Sequence, residues 1–444
     1  MEAQKFVDFF SLKKGESDLK TEILAGITTF LTMSYIIVVN PSILSKTGMN
    51  FAAILTATVI VSAITSILMG IYAKLPYAIA PGMGLNAFFT YTLVLGKGVS
   101  WETALGAVFV SGIVFIILSL LNIRKMIVEA IPTNLQYAVA AGIGLFLALI
   151  GLNDVGFIVG GKGTVVSFGG FNIQTELFIL CFALTMFLVS KKIKGALLLS
   201  IIINSIVVLI ASIGLFKAGI IKSGIVTPPK TIISLPSFSL FFKMNVKEAL
   251  TIGMIAPVFT FLFTDMFDSI STYLGLARSA NLIDDKGIPI NVNKALLTDA
   301  LATTISGISG TSSGTVYIES SAGIQEGGKT GLTAVVAGLL FLPFMFLSPL
   351  LSFVPSVATA PVLVIVGVFM AKTLREIEWD NLTEAIPAFI AFILIPLTYS
   401  ITQGIVWGFL TYTVLKILNG EFKKISITLY IIDIMSILAL IAMY

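Results

Sequence analysis

Apolar runs of membrane-spanning length recur along the whole chain, Ala53 to Leu68 and Leu332 to Leu347 among them. An uncharged run of that kind reads as a transmembrane helix. Of 444 residues only 11% are charged and 57% are apolar, whereas a soluble domain carries about a quarter charged. Most of the surface therefore faces lipid, and a secreted, cytosolic or nucleic-acid-binding globular protein is excluded. At roughly 20 residues per crossing, the length holds about a dozen to fifteen segments and leaves almost nothing for a soluble domain. Cys181 is the one cysteine and histidine is absent. An intrachain disulfide, a Cys-ligated cluster, a His-based metal site and an imidazole proton relay are all excluded. Any proton chemistry falls to carboxylates, and no cofactor or metal is expected.

Segments are expected at about 21–44, 52–73, 77–95, 101–122, 133–152, 175–190 and 194–216. A polar connection rich in Ser, Pro and Lys follows. A second series covers about 247–277, 292–308, 314–326, 331–352, 356–372, 382–399 and 404–418, with a last apolar stretch at 426–443. That is seven, seven again, and a tail. The polar lead-in 1–20 is too mixed for a cleaved signal peptide. With a cytoplasmic N-terminus and fourteen crossings, nineteen Lys and Arg residues lie inside and eight outside, as the positive-inside rule favours.

The halves resemble each other locally. Thr103-Ala-Leu-Gly-Ala-Val108 aligns with Thr330-Gly-Leu-Thr-Ala-Val335, and Ile131-Pro132 followed by Gly144, Phe146 and Ala148 aligns with Val354-Pro355 followed by Gly367, Phe369 and Ala371 at identical spacing. Chance similarity between apolar helices is the competing explanation. True repeats seven segments apart would be inverted, a common plan for secondary transporters. The third segment carries Pro81, Gly82 and Gly84, and its counterpart carries Gly307, Gly310 and Gly314. Irregular backbone at membrane depth is tolerated only inside protein or around a cavity, so both segments are expected to hold a short extended stretch and then a half-helix, starting near Leu85 and Val316. Free N–H groups at those starts would point at a site.

Buried charge is costly in a membrane, about 2.5–3.5 kcal/mol at its centre on insertion scales. The eighth segment nevertheless places Asp265, Asp268, Ser269 and Thr272 within about 100° of one helix face. Solvated acids near a helix end are the plainer alternative, since a loop begins soon after Arg278. Glu319 starts the second half-helix, where the dipole interacts favourably with a carboxylate; an unpartnered helix-start acid is the alternative there. Asp299 shares a face with Thr303 and Ser306 and could equally support the broken segment. Asn86 offers a donor and an acceptor, which suits a neutral hydrogen-bonding solute. Thr28, Thr32 and Tyr35 form a stripe, although membrane threonines often bond only their own backbone.

Three stretches together, Ala80-Pro-Gly-Met-Gly-Leu-Asn-Ala-Phe-Phe89, Thr264-Asp-Met-Phe-Asp-Ser269 and Gly310-Thr-Ser-Ser-Gly-Thr-Val-Tyr-Ile-Glu-Ser320, resemble the azaguanine-resistance-type purine permeases. These are a branch of the nucleobase transporter superfamily. The resemblance spans almost the whole chain. It implies an all-α carrier of fourteen helices in a seven-plus-seven inverted repeat, with a core at 21–122 and 247–352 and a gate at 133–216 and 356–418. The connection 217–246 and the tail 419–444 lie outside both. It also implies that Asp265 and Glu319 hold the base, with Asn86, Asp268 and Thr315 as further substrate contacts and Asp299, Ser269 and Thr32 as support. Related uracil and xanthine carriers have a histidine where Ser269 stands, so the proton passes to Asp265 or Glu319, with Asp265 preferred as the mid-helix acid.

The function expected is proton-coupled import of a purine base such as adenine, guanine or hypoxanthine across the cell membrane, with Phe88, Phe89 or Phe267 covering the ring. Its partners are the base, the proton and lipid, with a homodimer as the candidate assembly. An anion carrier of sulfate or bicarbonate type is the alternative, although Asp265 and Glu319 would repel an anion. A prenyltransferase-like enzyme is more remote, because its acidic motif would need a second copy.

Overall fold

The computed structural model describes residues 9–10, 18–121, 132–161, 163–221, 231–283 and 289–441. Most of the lead-in, the basic pair Arg124 and Lys125, part of the 217–246 connection and Asp284-Asp285 lie outside these residues.

The chain is mostly helical. In order it forms α1 (Leu19–Met33), α2 (Ile36–Leu44), α3 (Phe51–Leu68), strand β1 (Ile79–Pro81), α4 (Met83–Ala87), α5 (Trp101–Leu120), α6 (Thr133–Asp154), a small hairpin β2 (Ile158–Val159) and β3 (Ser167–Phe168), α7 (Ile173–Ser190) and α8 (Ala196–Lys217). Then come α9 (Ile255–Ala280), α10 (Val292–Ser309), β4 (Gly314–Val316), α11 (Ser320–Gln325), α12 (Gly331–Phe341), α13 (Ser356–Ala371), α14 (Leu382–Leu397), α15 (Ile401–Leu418) and α16 (Ile427–Ile441). Among the described residues nine helical stretches are long and apolar enough to cross a membrane, so the protein is a multi-pass membrane protein. Helix starts follow local chemistry: Asp18, Asn50, Ser100, Asn172 and Ser400 accept from backbone N–H groups of the first turn that the helix cannot satisfy itself.

Two expectations shift. The first segment is interrupted at Ser34-Tyr35, between α1 and α2, which places Tyr35 at the break. The second half-helix starts at Ser320 rather than near Val316, because Val316 pairs in β4 and Tyr317 donates its N–H back to Ala78 O at 3.0 Å. The hairpin at 158–168 fills the gap between the segments expected at 133–152 and 175–190.

The helices sort into two packed groups. One contains α1, α3, α5, α9, α10, α11 and α12 with both central strands; the other contains α6, α7, α8, α13, α14 and α15. In the second group α6 crosses α13 with Gly144 against Gly367: a Cβ on Gly367 would lie 2.5 Å from the carbonyl oxygen of Gly144, and one on Gly144 would lie 2.8 Å from that of Gly367. Only small residues permit such backbone approach.

In the first group, Glu22 of α1 is fully buried and caps the start of α12. Its Oε1 accepts from the N–H groups of Lys329 at 2.9 Å and Thr330 at 3.1 Å, while Oε2 accepts from the Thr333 hydroxyl at 2.5 Å. Glu22→Ala should leave these donors unmade and, at about 1–3 kcal/mol for a buried unsatisfied group, lower the apparent melting temperature of detergent-purified protein by several degrees. An unchanged melting curve would show that the cap contributes nothing.

Candidate functional site

The site grows from β1 and β4, which pair antiparallel with Ile79 opposite Val316, Ala80 opposite Thr315 and Pro81 opposite Gly314. Two three-residue strands amid helices leave many backbone groups to satisfy, and at membrane depth each one matters. Neighbouring side chains complete the account. Ser66 of α3 accepts from Ile79 N at 2.9 Å and donates to Ile79 O at 3.1 Å, and Ser320 accepts from Ala78 N at 3.0 Å. Tyr317 donates its hydroxyl to Pro81 O at 2.6 Å, the Thr303 hydroxyl lies 3.2 Å from Gly314 O, and Gly82 N reaches Ser313 O at 2.9 Å. The strands are thereby fixed from α3, α10 and each other's flanks.

Behind β4 lies a buried polar knot. Asp265 and Asp299 are both fully buried. Thr303 donates to Asp265 Oδ2, Ser269 donates to Asp299 Oδ2, and the Ser269 and Thr315 hydroxyls lie 2.9 Å apart. The two carboxyls are close enough to interact electrostatically. Asp265 Oδ1 makes no hydrogen bond. Asn86 is buried as well; it accepts from the Ser312 hydroxyl and so ties the third segment to the loop before β4. Nearby, Asn40 of α2 donates to Thr58 at 2.7 Å and to Thr311 at 2.8 Å.

Two further carboxylates are less completely buried, Asp268 of α9 and Glu319 at the start of α11, and each lies within electrostatic range of the other. The Tyr35 hydroxyl donates to Glu319 Oε1 at 2.7 Å, and the Tyr35 and Tyr317 rings lie 6.4 Å apart. Thr32 is engaged chiefly with its own helix, at 3.0 Å to Thr28 O and 2.9 Å to Thr29 O, and reaches Glu319 O at 3.3 Å. Phe88 packs edge-on against Phe261, while Phe267 packs on Phe263 and on Phe409 of α15. Phe88 and Phe267 thus pack against other rings in this conformation.

The acids and their hydroxyl partners near the paired strands separate into two layers. Asp265, Asp299, Ser269, Thr315 and Asn86 form the buried layer; Asp268 and Glu319 form the accessible one. Sequence reasoning missed Tyr317, Ser66, Ser312 and Glu22, and gave Tyr35 only a place in a stripe. The alternation of small hydroxyl residues in 309–320 was the available signal.

The architecture has counterparts among solved structures. The transmembrane domain of the cyanobacterial bicarbonate transporter BicA superposes with a TM-score of 0.64 at 17% identity, covering 88% of this chain and 97% of that one. The murine anion transporter Slc26a9 in its inward-facing state gives 0.63 at 10% identity, covering 95% of this chain and 72% of that one. At such identities the likeness concerns the fold alone. The sequence places the chain more narrowly: it belongs to the Xan_ur_permease family, a permease family whose model matches residues 20–407. Relatives over nearly full length include Methanocaldococcus jannaschii MJ0326, 44% identical over 97% of each chain. The Escherichia coli adenine permease AdeQ is 40% identical over 95% of this chain and 93% of its own, and the Bacillus subtilis guanine/hypoxanthine permease PbuO is 39% identical over 94% and 96%. The protein is therefore a transporter rather than an enzyme.

Proposed function

We propose that the chain is a purine nucleobase permease of the cell membrane that imports its substrate together with a proton. The observation that carries this reading is the partly buried pair Asp268 and Glu319 beside the paired strands, in a chain whose relatives bear adenine and guanine/hypoxanthine names. Two acceptors suit the ring N–H groups of a neutral base. They oppose an anion, which argues against bicarbonate or sulfate despite the shared fold. Glu319 and Asp268 contact the base, Tyr35 orients Glu319, and Asn86 and Thr315 shape the floor. Asp265, in the buried pair with Asp299, holds the coupling proton, since two carboxyls in one hydrogen-bonded knot give the membrane interior a place to keep it. Binding of base and proton is then coupled reciprocally.

Fourteen crossings in a seven-plus-seven inverted repeat, with a cytoplasmic N-terminus, complete the reading. Matching contacts in the two halves support it. Glu22 accepts from the N–H of Thr330, just before α12, and Glu248 accepts from the hydroxyl of Thr103, in the first turn of α5, at 2.8 Å, so an acid meets each of the two aligned threonines. The meeting of Gly144 with Gly367, and of β1 with β4, is what a two-fold relation between halves produces. The group containing the strands is the moving core and the other is the gate.

A polar latch joins the two groups on the outer side. Lys46, after α2, pairs with Asp154 at the end of α6 at 2.5 Å, and Tyr91 bridges them, 2.8 Å from Lys46 Nζ and 3.2 Å from Asp154 Oδ2. Lys46 and Asp154 border a cavity of about 180 Å³ that Thr359 also lines. Outward opening must break this pair. Asp154→Asn should therefore expose a cysteine placed at Thr359, in a Cys181→Ser background, to a charged thiol reagent about tenfold faster, as expected for a shift of roughly 1.4 kcal/mol between states. The exchange Lys46→Asp with Asp154→Lys should restore slow labelling. Labelling that is unchanged in Asp154→Asn would remove the latch.

The function itself is tested by uptake of radiolabelled hypoxanthine in cells lacking their own carriers, with unlabelled bases as competitors and at several external pH values. Saturable uptake that adenine or guanine competes for, and that rises with the proton gradient, is expected. Bicarbonate or sulfate transport without purine uptake would overturn the reading.

A further inference from the structure

A further buried acid lies away from the strands. Asp433 is near the middle of α16, whose neighbours in sequence are Ile431, Ile432, Ile434 and Met435. Ile431, Ile434, Ile437 and Leu438 face outward, while Leu429, Ile432, Asp433 and Ser436 turn inward against α15 and α9. Asp433 is 6% exposed and Ser436 is fully buried. Thr413 of α15 donates to Asp433 Oδ2 at 2.5 Å. The other carboxyl oxygen, Oδ1, and the Ser436 hydroxyl, one helical turn further along the same face, make no hydrogen bond.

A carboxylate buried between apolar helices with one oxygen unpartnered is costly. The geometry points to Asp433, with Thr413 and Ser436, as a proton-binding site of the C-terminal helix, separate from the base site and governing how firmly α16 is seated on α15. Protonated at Oδ1, the carboxyl still accepts from Thr413 at Oδ2 and carries no net charge between the helices. Ionised, it favours water and loosens the contact. A metal ion would need a cage of oxygens, and two unbroken helices here offer one carboxyl and two hydroxyls.

The surrounding charges are few. On α15 the titratable groups are Tyr412 and Lys416, and Lys416 is held by Glu384 at 3.1 Å and Glu421 at 3.0 Å. On α9 the part facing α16 begins at Ala256, which clusters with Val406, Leu410 and Leu440, and it has no titratable residue before Asp265. On α16 itself the other titratable residue is Tyr430, which is exposed. None of the ion pairs among the described residues involves Asp433.

The test is amide hydrogen exchange of the full chain in lipid nanodiscs without substrate, comparing wild type with Asp433→Asn at each pH so that intrinsic exchange rates cancel. Asp433→Asn imitates the protonated acid. At alkaline pH the wild-type amides of α16 should exchange about tenfold faster than those of the variant, and at acidic pH the two should coincide. Infrared difference spectra should show a protonated-carboxyl band, lost on alkalinisation, that Asp433→Asn lacks and Asp265→Asn keeps. Equal exchange at every pH, or a band unaffected by Asp433→Asn, overturns the proposal. So does a change of exchange when sodium is replaced by choline at constant pH, which would assign the site to a metal cation. Failure of purine uptake leaves each of these outcomes unaffected.

Discussion

Glu319→Gln weakens purine binding by about ten- to a hundredfold. The Glu319 carboxylate is half-buried and already accepts the Tyr35 hydroxyl at 2.7 Å, which leaves its other oxygen as an acceptor for a ring N–H. Glutamine keeps the shape but can turn its amide donor toward the substrate's donor, and the unmade buried hydrogen bond costs about 1–3 kcal/mol, where 1.4 kcal/mol is tenfold. Equilibrium binding of a radiolabelled base to purified protein measures the loss. Tyr35→Phe, which retains the carboxylate but removes its orienting hydroxyl, should show a smaller loss than Glu319→Gln. Equal affinity of Glu319→Gln and wild type would remove Glu319 from the site.

Asp265→Asn should retain binding and base exchange while abolishing accumulation against a gradient. Asp265 is fully buried, receives the Thr303 hydroxyl and has its second oxygen unpartnered, so it sits behind the accessible layer rather than in it. Asparagine is nearly isosteric with the neutral acid and holds no exchangeable charge. Counterflow of labelled base between equal pools reads exchange, and uptake driven by an imposed pH gradient reads coupling. A variant that still concentrates base in a pH-dependent way would show that the proton resides elsewhere, with Asp268 or Glu319 the next to test.

The two variants probe different layers, and that division was invisible in the sequence. Helical spacing put Asp265, Asp268, Ser269 and Thr272 on one face, and at the resolution of a helical wheel they form one stripe. The fold divides that stripe because β4 passes beside it. Asp265 and Ser269 meet Thr303, Asp299 and Thr315, whereas Asp268, almost a full turn from Asp265, turns toward Glu319. Thr32 shows the opposite outcome, since much of its hydroxyl's bonding stays within its own helix, as threonine spacing alone allows.

What the sequence determined by itself is the part that follows from local chemistry and solvent. Apolar runs of that length have one stable environment, and their unbroken hydrogen-bonding needs dictate helices. Pro81, Gly82 and Gly84 in one segment and Gly310 and Gly314 in the other disfavour a continuous helix there, so an extended stretch was legible in both places, although Gly307 stays within α10. Even there the boundary moved: Val316 joined a strand because its partner, Ile79, lies 237 positions away and pairing at that range has no local signature. Only the tertiary structure decided that the two stretches pair, that Glu22 reaches across to cap α12, that Gly144 meets Gly367, and that Asp433 is set apart from the other acids. Each of these is a contact between distant segments, fixed by which backbone donors and acceptors remain unsatisfied once the helices have formed. In a medium without water, those remainders have to find one another.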